Sequence, residues 1–254
     1  MTKFVERLIL EHEENPEFIQ LHLARYEFAK HFVQSKRVLD VACGSGYGSA
    51  MLKEAGASTV VGIDVSPEVI EYARAHFNGT GAEFAVGDAE DLSLYRDFDV
   101  VVSFETIEHL RHPETFLAEI TRSLSSQGTL IVSTPQREKG TLHDKPQNLF
   151  HLREWTLEEF QQLLSKYFHH VNIHGQYGFA KMGFPYSRTL QRFICKTFFP
   201  GRFEALERYL VLSEPPPNKG FRLGVAYITA VCTVKRDSHR SRQQKEPLLQ
   251  ADQG

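Results

Sequence analysis

The sequence predicts an α/β fold in which helices cover both faces of a parallel β-sheet. Three observations support this prediction. Strand-like segments alternate with helix-like segments from residue 37 onward, and the strand segments are almost continuously apolar. A turn rich in small residues, CGSGYGS, joins the first strand to the helix that follows it. The chain of 254 residues, 41% of them hydrophobic, is long enough to bury one large core.

Local signals place each element in turn. A helix is expected over residues 17–33, because its apolar side chains fall near one stripe. The predicted strands then span residues 37–42, 59–64, 83–87, 98–104, 128–135, 170–174 and 224–235. Ser66 with Pro67 predicts an N-cap and first helical position after the second strand. Thr156 with Glu159 predicts a capping box at the start of the last helix.

Composition excludes several classes of protein. A formal net charge of −3 gives no overall positive field for nucleic acid. The three cysteines, Cys43, Cys195 and Cys232, are too few and too scattered for a disulfide framework or a metal cluster. The opening MTKFVERLILEHEEN turns acidic before a signal-peptide core can form, and no uninterrupted run of about 18 apolar residues follows. We therefore predict a cytoplasmic protein with no nucleic-acid partner and no transmembrane segment.

Changes in residue pattern predict the domain organisation. Residues 1–36 are expected to form an N-terminal helical cap and residues 37–236 the α/β domain. Residues 180–222 separate the last two strands and carry aromatic side chains, so we predict that they form a lid. Plain packing, a homodimer contact and contact with a membrane surface are alternatives for this insertion. Residues 237–254 are polar without periodicity and are predicted to be a disordered tail.

The small-residue turn predicts a nucleotide-type site. Gly44 and Gly46 allow a ligand to approach the main chain, and the N–H groups of the next helix point towards it. Asp64 ends the second strand, where a carboxylate can accept both ribose hydroxyls, and Asp88 follows the third strand, where it could accept an adenine amino group. Ser49 replaces the last glycine of the dinucleotide pattern, which counts against a pyrophosphate. A plain strand-to-helix turn and a solvated loop carboxylate are the alternative interpretations.

In their order and spacing, these motifs resemble the class I methyltransferases that use S-adenosylmethionine, in the branch of the ubiquinone and menaquinone biosynthesis enzymes. The resemblance covers residues 38 to 134 and rests on VLDVACGSG, VVGIDVS, GDAEDL and FDVVVSFETIEHL. It implies a Rossmann-like three-layer sandwich whose seven-stranded mixed sheet has an antiparallel last strand. It also implies S-adenosylmethionine as the cofactor and S-adenosylhomocysteine as the product, with residues 37–236 as the methyltransferase domain.

The resemblance also implies which residues contact the cofactor. They are Tyr26, Gly44, Ser45, Gly46, Asp64, Val65, Asp88, Ala89 and Phe104. The glycine turn would contact the methionine moiety, and the ends of the second and third strands would contact the ribose and the adenine. The backbone of Phe104 would lie near the sulfonium, and Val65 against the adenine. Tyr26 shares a helical face with His22. For both residues, plain helix packing is the alternative to a place beside the cofactor. Ala42 stands where the family usually has its first glycine.

Methyl transfer from a sulfonium needs mainly an aligned nucleophile and the exclusion of water, because the leaving group is already charged. For an oxygen acceptor, a histidine suffices as general base. His109 is the first candidate, since the turn after the fourth strand faces the transferred methyl in this family; His143 and His151 are the next, and each could instead be a plain loop histidine. No metal is predicted, although Glu105, Glu108 and His109 could bind a divalent cation, as the resemblance suggests for some O-methyltransferases of the ubiquinone branch.

The combined prediction is an enzyme that transfers a methyl group from S-adenosylmethionine to a small-molecule acceptor, with an oxygen nucleophile favoured. Two other functions are kept as alternatives. A nicotinamide-dependent oxidoreductase would use the same strand edge, and a non-catalytic regulator could bind an adenosyl ligand on the same fold. Binding of NAD alone would favour the first alternative. Cofactor binding without methyl transfer to any of a broad acceptor set would favour the second.

Overall fold

The structure is a computed structural model that describes residues 16–137, 146, 148–177 and 225–234. The predicted lid, its homodimer contact, the predicted tail and His143 lie outside the described residues. Within the described ranges, no helix combines the length and the apolar character that crossing a membrane requires.

Strands and helices alternate along the described chain as the sequence predicts. The strands are β1 Arg37–Val41, β2 Thr59–Asp64, β3 Glu83–Val86, β4 Phe98–Phe104, β5 Leu124–Pro135, β6 Phe168–Tyr177 and β7 Val225–Val234. The α-helices are α1 Pro16–Ala29, α2 Tyr47–Glu54, α3 Pro67–Phe77, α4 Pro113–Ser123 and α5 Leu157–Ser165. Short 3₁₀ helices span Lys30–Phe32, Asn78–Thr80 and Ile107–His109.

The strands form one seven-stranded sheet in the order β3-β2-β1-β4-β5-β7-β6. Strands β1 to β5 pair in parallel, whereas β7 is antiparallel to both β5 and β6. The predicted mixed sheet with an antiparallel last strand is therefore confirmed. The chain adds β2 and β3 on one side of β1 and β4 on the other, so the strand order reverses between β1 and β4. In open α/β sheets, ligands bind at the carboxyl ends of the strands beside such a reversal.

Two strands, β5 and β6, differ from their predicted bounds by more than one residue. Strand β5 begins at Leu124 rather than at residue 128, because Leu124 pairs with Phe98 before the register shifts next to Val100. The polar residues 125–127 fall at this irregularity and hid the strand start in the sequence. Strand β6 runs from Phe168 to Tyr177, beyond both ends of the predicted 170–174, because β7 pairs along its length. Pairing thus extends strands into segments whose own pattern is weak.

Two apolar cores cover the two faces of the sheet. One face packs β1, β2 and β4 against α4 and α5, with Phe116 and Phe160 fully buried between them. The opposite face packs the alternate residues of the same strands against α1, α2 and α3, with Leu52 and Ile70 buried. Burial on both faces explains why the strands read as continuous apolar runs.

Both predicted helix starts are confirmed. The Ser66 hydroxyl accepts a hydrogen bond from the Val69 N–H at the start of α3. At the start of α5, Thr156 and Glu159 form the reciprocal capping box, in which each side chain accepts the other residue's N–H. Caps of this kind stabilise a helix by about 1 kcal/mol.

Helix α1 buries a different face from the predicted aromatic stripe. The predicted stripe comprised Phe18, Leu21, Phe28 and Phe32. In the structure, Leu21 is buried but Phe28 and Phe32 are only partly buried, and the deeply buried positions include Arg25, Tyr26 and Ala29. An arginine and a tyrosine take core-facing positions because polar partners meet them inside the protein, which an apolar periodicity cannot reveal.

Candidate functional site

The turn between β1 and α2 leaves open space above its main chain. Gly44 and Gly46 both have positive φ, at 56° and 89°. Apart from the chain neighbours of Gly44, no atom of the described residues lies within 4 Å of a Cβ atom built on this glycine. A side chain on Gly46 would instead lie 2.7 Å from the Cβ of Ala73 and 2.8 Å from the Phe84 ring. Gly44 therefore faces the open site, whereas Gly46 is closed in by α3 and β3. Ala42, with φ of 60°, adopts the conformation that a glycine would adopt without strain.

Asp64 joins the ends of β1 and β2. One carboxylate oxygen accepts a hydrogen bond from the Gly44 N–H at 3.1 Å, and the other accepts one from the Ser66 N–H at 3.0 Å. The residue is buried, and the neighbouring Val65 side chain is 61% exposed. A carboxylate oxygen can accept more than one hydrogen bond, so these contacts are compatible with a ligand hydroxyl at Asp64. The arrangement places an acceptor and an apolar surface side by side at the sheet edge.

The segment after β3 lies against the end of β2. The Gly87 N–H donates to the Asp64 carbonyl at 3.0 Å. Asp88 is exposed and one of its carboxylate oxygens accepts the Glu90 N–H at 2.8 Å, while Ala89 is buried. The predicted ribose and adenine contacts, Asp64 and Asp88, are therefore neighbours at one edge of the sheet.

Tyr26 lies over the first turn of α2. Its ring contacts Tyr47 and Phe104 edge-on, with centroids 5.4 and 5.0 Å away, and a side chain on Gly48 would overlap that ring at 2.0 Å. Its hydroxyl donates to Asp40, 3.3 Å from either carboxylate oxygen. The structure thus places Tyr26 next to the glycine turn and beside Phe104. Burial lowers the pKa of His22 well below its usual value, and the nearby Arg25 charge adds to the effect.

Asp40 is a buried carboxylate that the sequence did not single out. The Ser49 hydroxyl donates to it at 2.7 Å. Ser49, which stands at the last glycine position of the dinucleotide pattern, therefore makes a structural hydrogen bond. Burial raises the pKa of Asp40 to about 7, although the hydrogen bonds from Ser49 and Tyr26 oppose the rise. Repulsion from the nearby Asp64 carboxylate also raises the pKa of Asp40, by less than burial does.

Arg25 is fully buried at the same end of the sheet, and it too was missed. Its Nε donates to Gln176 Oε1 at 2.9 Å, and its guanidinium lies 4.5 Å from the Tyr227 ring centroid. The two terminal nitrogens make no hydrogen bond within the described residues, and the nearest carboxylate oxygen, of Glu105, is 3.8 Å from Nη2. The charge of Arg25 also opposes the rise that burial causes in the pKa of Tyr47, at the start of α2. A buried cation whose terminal donors make no hydrogen bond in the described part of the chain suits an anionic ligand group.

A second group of polar side chains lies beyond β4. Glu108, His109 and His151 bring one potential ligand atom each within 4.8 Å of one another. Glu108 is fully buried. Among the residues that the structure describes, its Oε1 has no hydrogen-bond partner and lies 3.9 Å from His109 Nε2, while its Oε2 accepts the Thr134 hydroxyl. Burial raises the pKa of Glu108 well above its usual value, and the nearby Glu105 adds to the rise.

Glu105 lies apart from this three-residue cluster. Its carboxylate accepts the Ser133 hydroxyl at 2.7 Å and faces Arg25. The cluster therefore contains two of the three residues that the sequence pattern suggested for a cation, with His151 in place of Glu105. A buried carboxylate oxygen without a hydrogen bond, next to two imidazoles, fits a divalent cation chemically.

The comparisons with known proteins agree with this geometry. Residues 39–132 match a family model described as "Methyltransferase domain". The matched segment is therefore a methyltransferase domain. The predicted family, and with it the prediction of an S-adenosylmethionine-dependent enzyme domain, is confirmed.

Relatives of this methyltransferase domain are found among curated proteins. The chain is 34% identical to a protein named "Probable S-adenosylmethionine-dependent methyltransferase" from Mycolicibacterium smegmatis, over 60% of this chain and 58% of that protein. It is 32% identical to a ubiquinone biosynthesis O-methyltransferase from Thiobacillus denitrificans, over 54% of this chain and 62% of that protein. The chain thus spans less than two thirds of the length of these relatives.

Solved structures show the same fold. A methyltransferase solved in complex with the Haloferax volcanii Trm112 methyltransferase activator superposes with a TM-score of 0.60 at 22% identity. The superposition covers 85% of this chain and 91% of the other. At this level of identity, the likeness concerns the arrangement of strands and helices.

The site residues predicted for the methyltransferase fall into two groups. Those predicted to contact the cofactor line the ends of β1 to β4 and the face of α1 above them, and they are Tyr26, Gly44, Ser45, Gly46, Asp64, Val65, Asp88, Ala89 and Phe104. Of the predicted bases, His109 and His151 lie together, with ring centroids 5.0 Å apart, and His143 falls outside the described residues. These roles stay predictions.

The buried carboxyl of Asp40 predicts a pH-dependent stability. Its folded pKa of about 7 exceeds the ordinary 3.8, so the folded state holds the proton more tightly than the unfolded chain does. The favourable contribution is present below about pH 4 and is lost as the pH rises towards 7, by at most about 4 kcal/mol. We expect Asp40→Asn to raise the free energy of unfolding at pH 8 by about 2 kcal/mol and to change it little at pH 4.

Urea unfolding at the two pH values measures this difference. Asp99→Asn is the control, because Asp99 is a partly buried carboxylate that accepts the Arg37 N–H at the opposite end of the sheet. An equal effect of Asp40→Asn at pH 4 and pH 8 would contradict the prediction.

Proposed function

We propose that this protein transfers the methyl group of S-adenosylmethionine to an oxygen atom of a small-molecule acceptor. One observation supports the proposal: the main chain at Gly44, the carboxylate of Asp64 and buried Arg25, whose terminal nitrogens make no hydrogen bond within the described residues, lie at one end of the sheet. S-adenosylmethionine carries a ribose diol at one end and a carboxylate at the other. The site offers an acceptor for the first and a cation for the second.

In this proposal the adenosyl group lies across the ends of β2 and β3. Asp64 accepts the ribose hydroxyls, and the exposed Val65 side chain packs against the adenine. The methionine portion crosses Gly44, and its carboxylate accepts hydrogen bonds from the Arg25 guanidinium. Tyr26, Tyr47 and Phe104 form an aromatic wall near the sulfonium and exclude water from it.

The transfer step needs an oxygen nucleophile aligned with the sulfonium. A C–O bond to the methyl forms while the C–S bond breaks, the sulfur keeps the bonding electron pair, and the acceptor hydroxyl loses its proton. In the absence of a cation, His109 is the group that takes this proton, through Nε2. Its Nδ1 must carry a hydrogen, since it lies 3.1 Å from the Phe150 carbonyl, which can only accept.

The same side chains fit a divalent cation. Glu108, His109 and His151 would hold it, because their potential ligand atoms lie within 4.8 Å of one another. Such a cation, when bound, supplies positive charge that lowers the pKa of an acceptor hydroxyl. The likeness to a relative named as an O-methyltransferase supports oxygen as the acceptor atom.

Calorimetric titration with S-adenosylmethionine and, separately, with NAD tests the cofactor. We expect binding of S-adenosylmethionine only, and an affinity that falls about tenfold or more in Asp64→Asn, because a ribose hydroxyl loses a charged acceptor. Asp99→Asn is the matched control, because Asp99 accepts the Arg37 N–H at the opposite end of the sheet, and it should bind as the wild type does. Binding of NAD alone, or undiminished S-adenosylmethionine binding by folded Asp64→Asn, would overturn the proposed cofactor site.

Methyl transfer itself is tested with labelled S-adenosylmethionine and a panel of phenols, catechols, enols and carboxylic acids. The expected products are a labelled methyl ether or ester and one equivalent of S-adenosylhomocysteine. Label recovered only on nitrogen or carbon acceptors would contradict transfer to oxygen. Cofactor binding with no transfer to any acceptor in this panel or in a matched amine panel would favour a non-catalytic adenosyl-ligand regulator.

A further inference from the structure

The loop after β5 holds both histidines of the three-residue cluster in fixed orientations. His151 Nδ1 lies 2.7 Å from Glu154 Oε1, and both side chains are largely buried, with 10% and 16% of their surfaces exposed. A carboxylate accepts hydrogen bonds, so His151 Nδ1 carries the hydrogen and Nε2 carries the lone pair. His151 is therefore held in the tautomer that can bind a metal through Nε2.

A second contact agrees with this assignment. The Asn148 amide oxygen accepts the Phe150 N–H at 3.0 Å, which leaves the amide nitrogen facing His151 Nε2, also at 3.0 Å. The amide N–H donates to the lone pair on Nε2. A cation that bound His151 Nε2 would replace the Asn148 N–H as the partner of the lone pair on that nitrogen.

His109 is oriented by the same loop. Its Nδ1 donates to the Phe150 carbonyl at 3.1 Å, so its lone pair is on Nε2, the atom that lies 3.9 Å from Glu108 Oε1. The loop is anchored in turn by the Leu152 and Arg153 N–H groups, which both donate to the Glu108 carbonyl. Residues 150–154 thus supply the Nδ1 partner of each imidazole, and their backbone is hydrogen-bonded to Glu108, the carboxylate residue of the cluster.

We infer that Glu154 and the Phe150 carbonyl are positioning groups that hold the two imidazoles so that Glu108, His109 and His151 bind a transition-metal cation in preference to Mg²⁺. The inference deepens the proposed function and rests on it. Two imidazoles and one carboxylate suit Mn²⁺, Fe²⁺ or Zn²⁺, whereas Mg²⁺ prefers oxygen ligands alone. A carboxylate behind a ligating histidine fixes the ring and increases its basicity, and its loss typically costs about 10- to 100-fold in metal affinity.

The test is Mn²⁺ binding to the full chain, measured by calorimetry and by the loss of the free Mn²⁺ paramagnetic resonance signal. We expect Glu108→Gln to abolish binding, Glu154→Ala to weaken it about 10- to 100-fold, and Glu154→Gln to weaken it less, since an amide oxygen can still accept the His151 hydrogen. Mg²⁺ should compete only weakly. Glu114→Gln is the matched control, because Glu114 is an exposed glutamate near Arg153. This variant should bind Mn²⁺ with the affinity of the wild type.

A second readout concerns the imidazole itself. Long-range ¹H–¹⁵N spectra of the metal-free protein should show His151 protonated on Nδ1 in the wild type and a mixture of tautomers in Glu154→Ala. Equal Mn²⁺ affinity of the wild type and Glu108→Gln, or of the wild type and Glu154→Ala, would overturn the inference. The affinity for S-adenosylmethionine, measured on the same samples, should not change in the Glu154 variants. If the wild type does not bind S-adenosylmethionine, the proposed function is overturned instead.

Discussion

Arg25→Met is expected to weaken S-adenosylmethionine binding by about a hundredfold or more, while the protein without ligand stays at least as stable as the wild type. In the proposed binding mode, Arg25 donates two charge-assisted hydrogen bonds to the cofactor carboxylate, and each contributes about 1.5–3 kcal/mol. The stability follows from the burial of Arg25, whose two terminal nitrogens make no hydrogen bond within the described residues. Replacing a buried charge by an apolar side chain of similar length removes a desolvation cost of several kcal/mol.

Calorimetry and urea unfolding measure the two effects separately. Arg25→Lys is the matched variant, because it keeps the charge but not the two parallel donors, and it should bind with intermediate affinity. Arg74→Lys serves as the control, since the Arg74 guanidinium on α3 donates to the Phe84 carbonyl of β3. If Arg25→Met binds S-adenosylmethionine like the wild type, the carboxylate is held elsewhere.

Gly46→Ala is expected to destabilise the fold by about 3–5 kcal/mol, whereas Gly44→Ala is expected to cost about 1 kcal/mol. Both positions have positive φ, which an alanine adopts with strain. Only at Gly46 would the new methyl group also overlap its surroundings, at 2.7 Å from Ala73 and 2.8 Å from Phe84. These neighbours belong to the packed layer between α3 and β3, so they can move little.

Ligand binding should separate the two glycine variants in the opposite way. Gly44 faces open space, so its methyl group would occupy the volume proposed for the methionine portion of the cofactor. We therefore expect Gly44→Ala to be well folded but to bind S-adenosylmethionine at least tenfold more weakly, by about 1.4 kcal/mol. Thermal unfolding and calorimetry on both variants test this. Equal stability losses in the two would contradict the difference in their surroundings.

Much of the fold could be predicted from the sequence because its signals are local. Continuous apolar runs gave the strands, and Ser66 and Thr156 gave two helix starts that the structure reproduces. The glycine turn and Asp64 could also be predicted, since the turn chemistry and the strand end lie in short segments. Where a strand such as β5 starts depends on its neighbour, and for that reason its first four residues were missed.

The parts of the site that were missed depend on distant contacts. Arg25 and Gln176 are 151 residues apart, and neither has a local feature that marks it as a partner of the other. Asp40 lies inside an apolar strand whose pattern hides its polar role, although a charged residue in such a run is itself a signal of a buried network. His151 was predicted as a candidate base, but its place beside Glu108 and the role of Glu154 follow from how a loop without periodicity folds back.

The contact between α1 and β6 has a consequence for how the protein forms during synthesis. Gln176 is the described hydrogen-bond partner of Arg25 and also donates to the Leu21 carbonyl. When a ribosome has made only the first 150 residues, this arginine has no such partner and stays hydrated. Helix α1 can therefore dock fully only after β6 has emerged, so the end of the sheet where the cofactor is proposed to bind is completed late, after the central parallel strands have been translated.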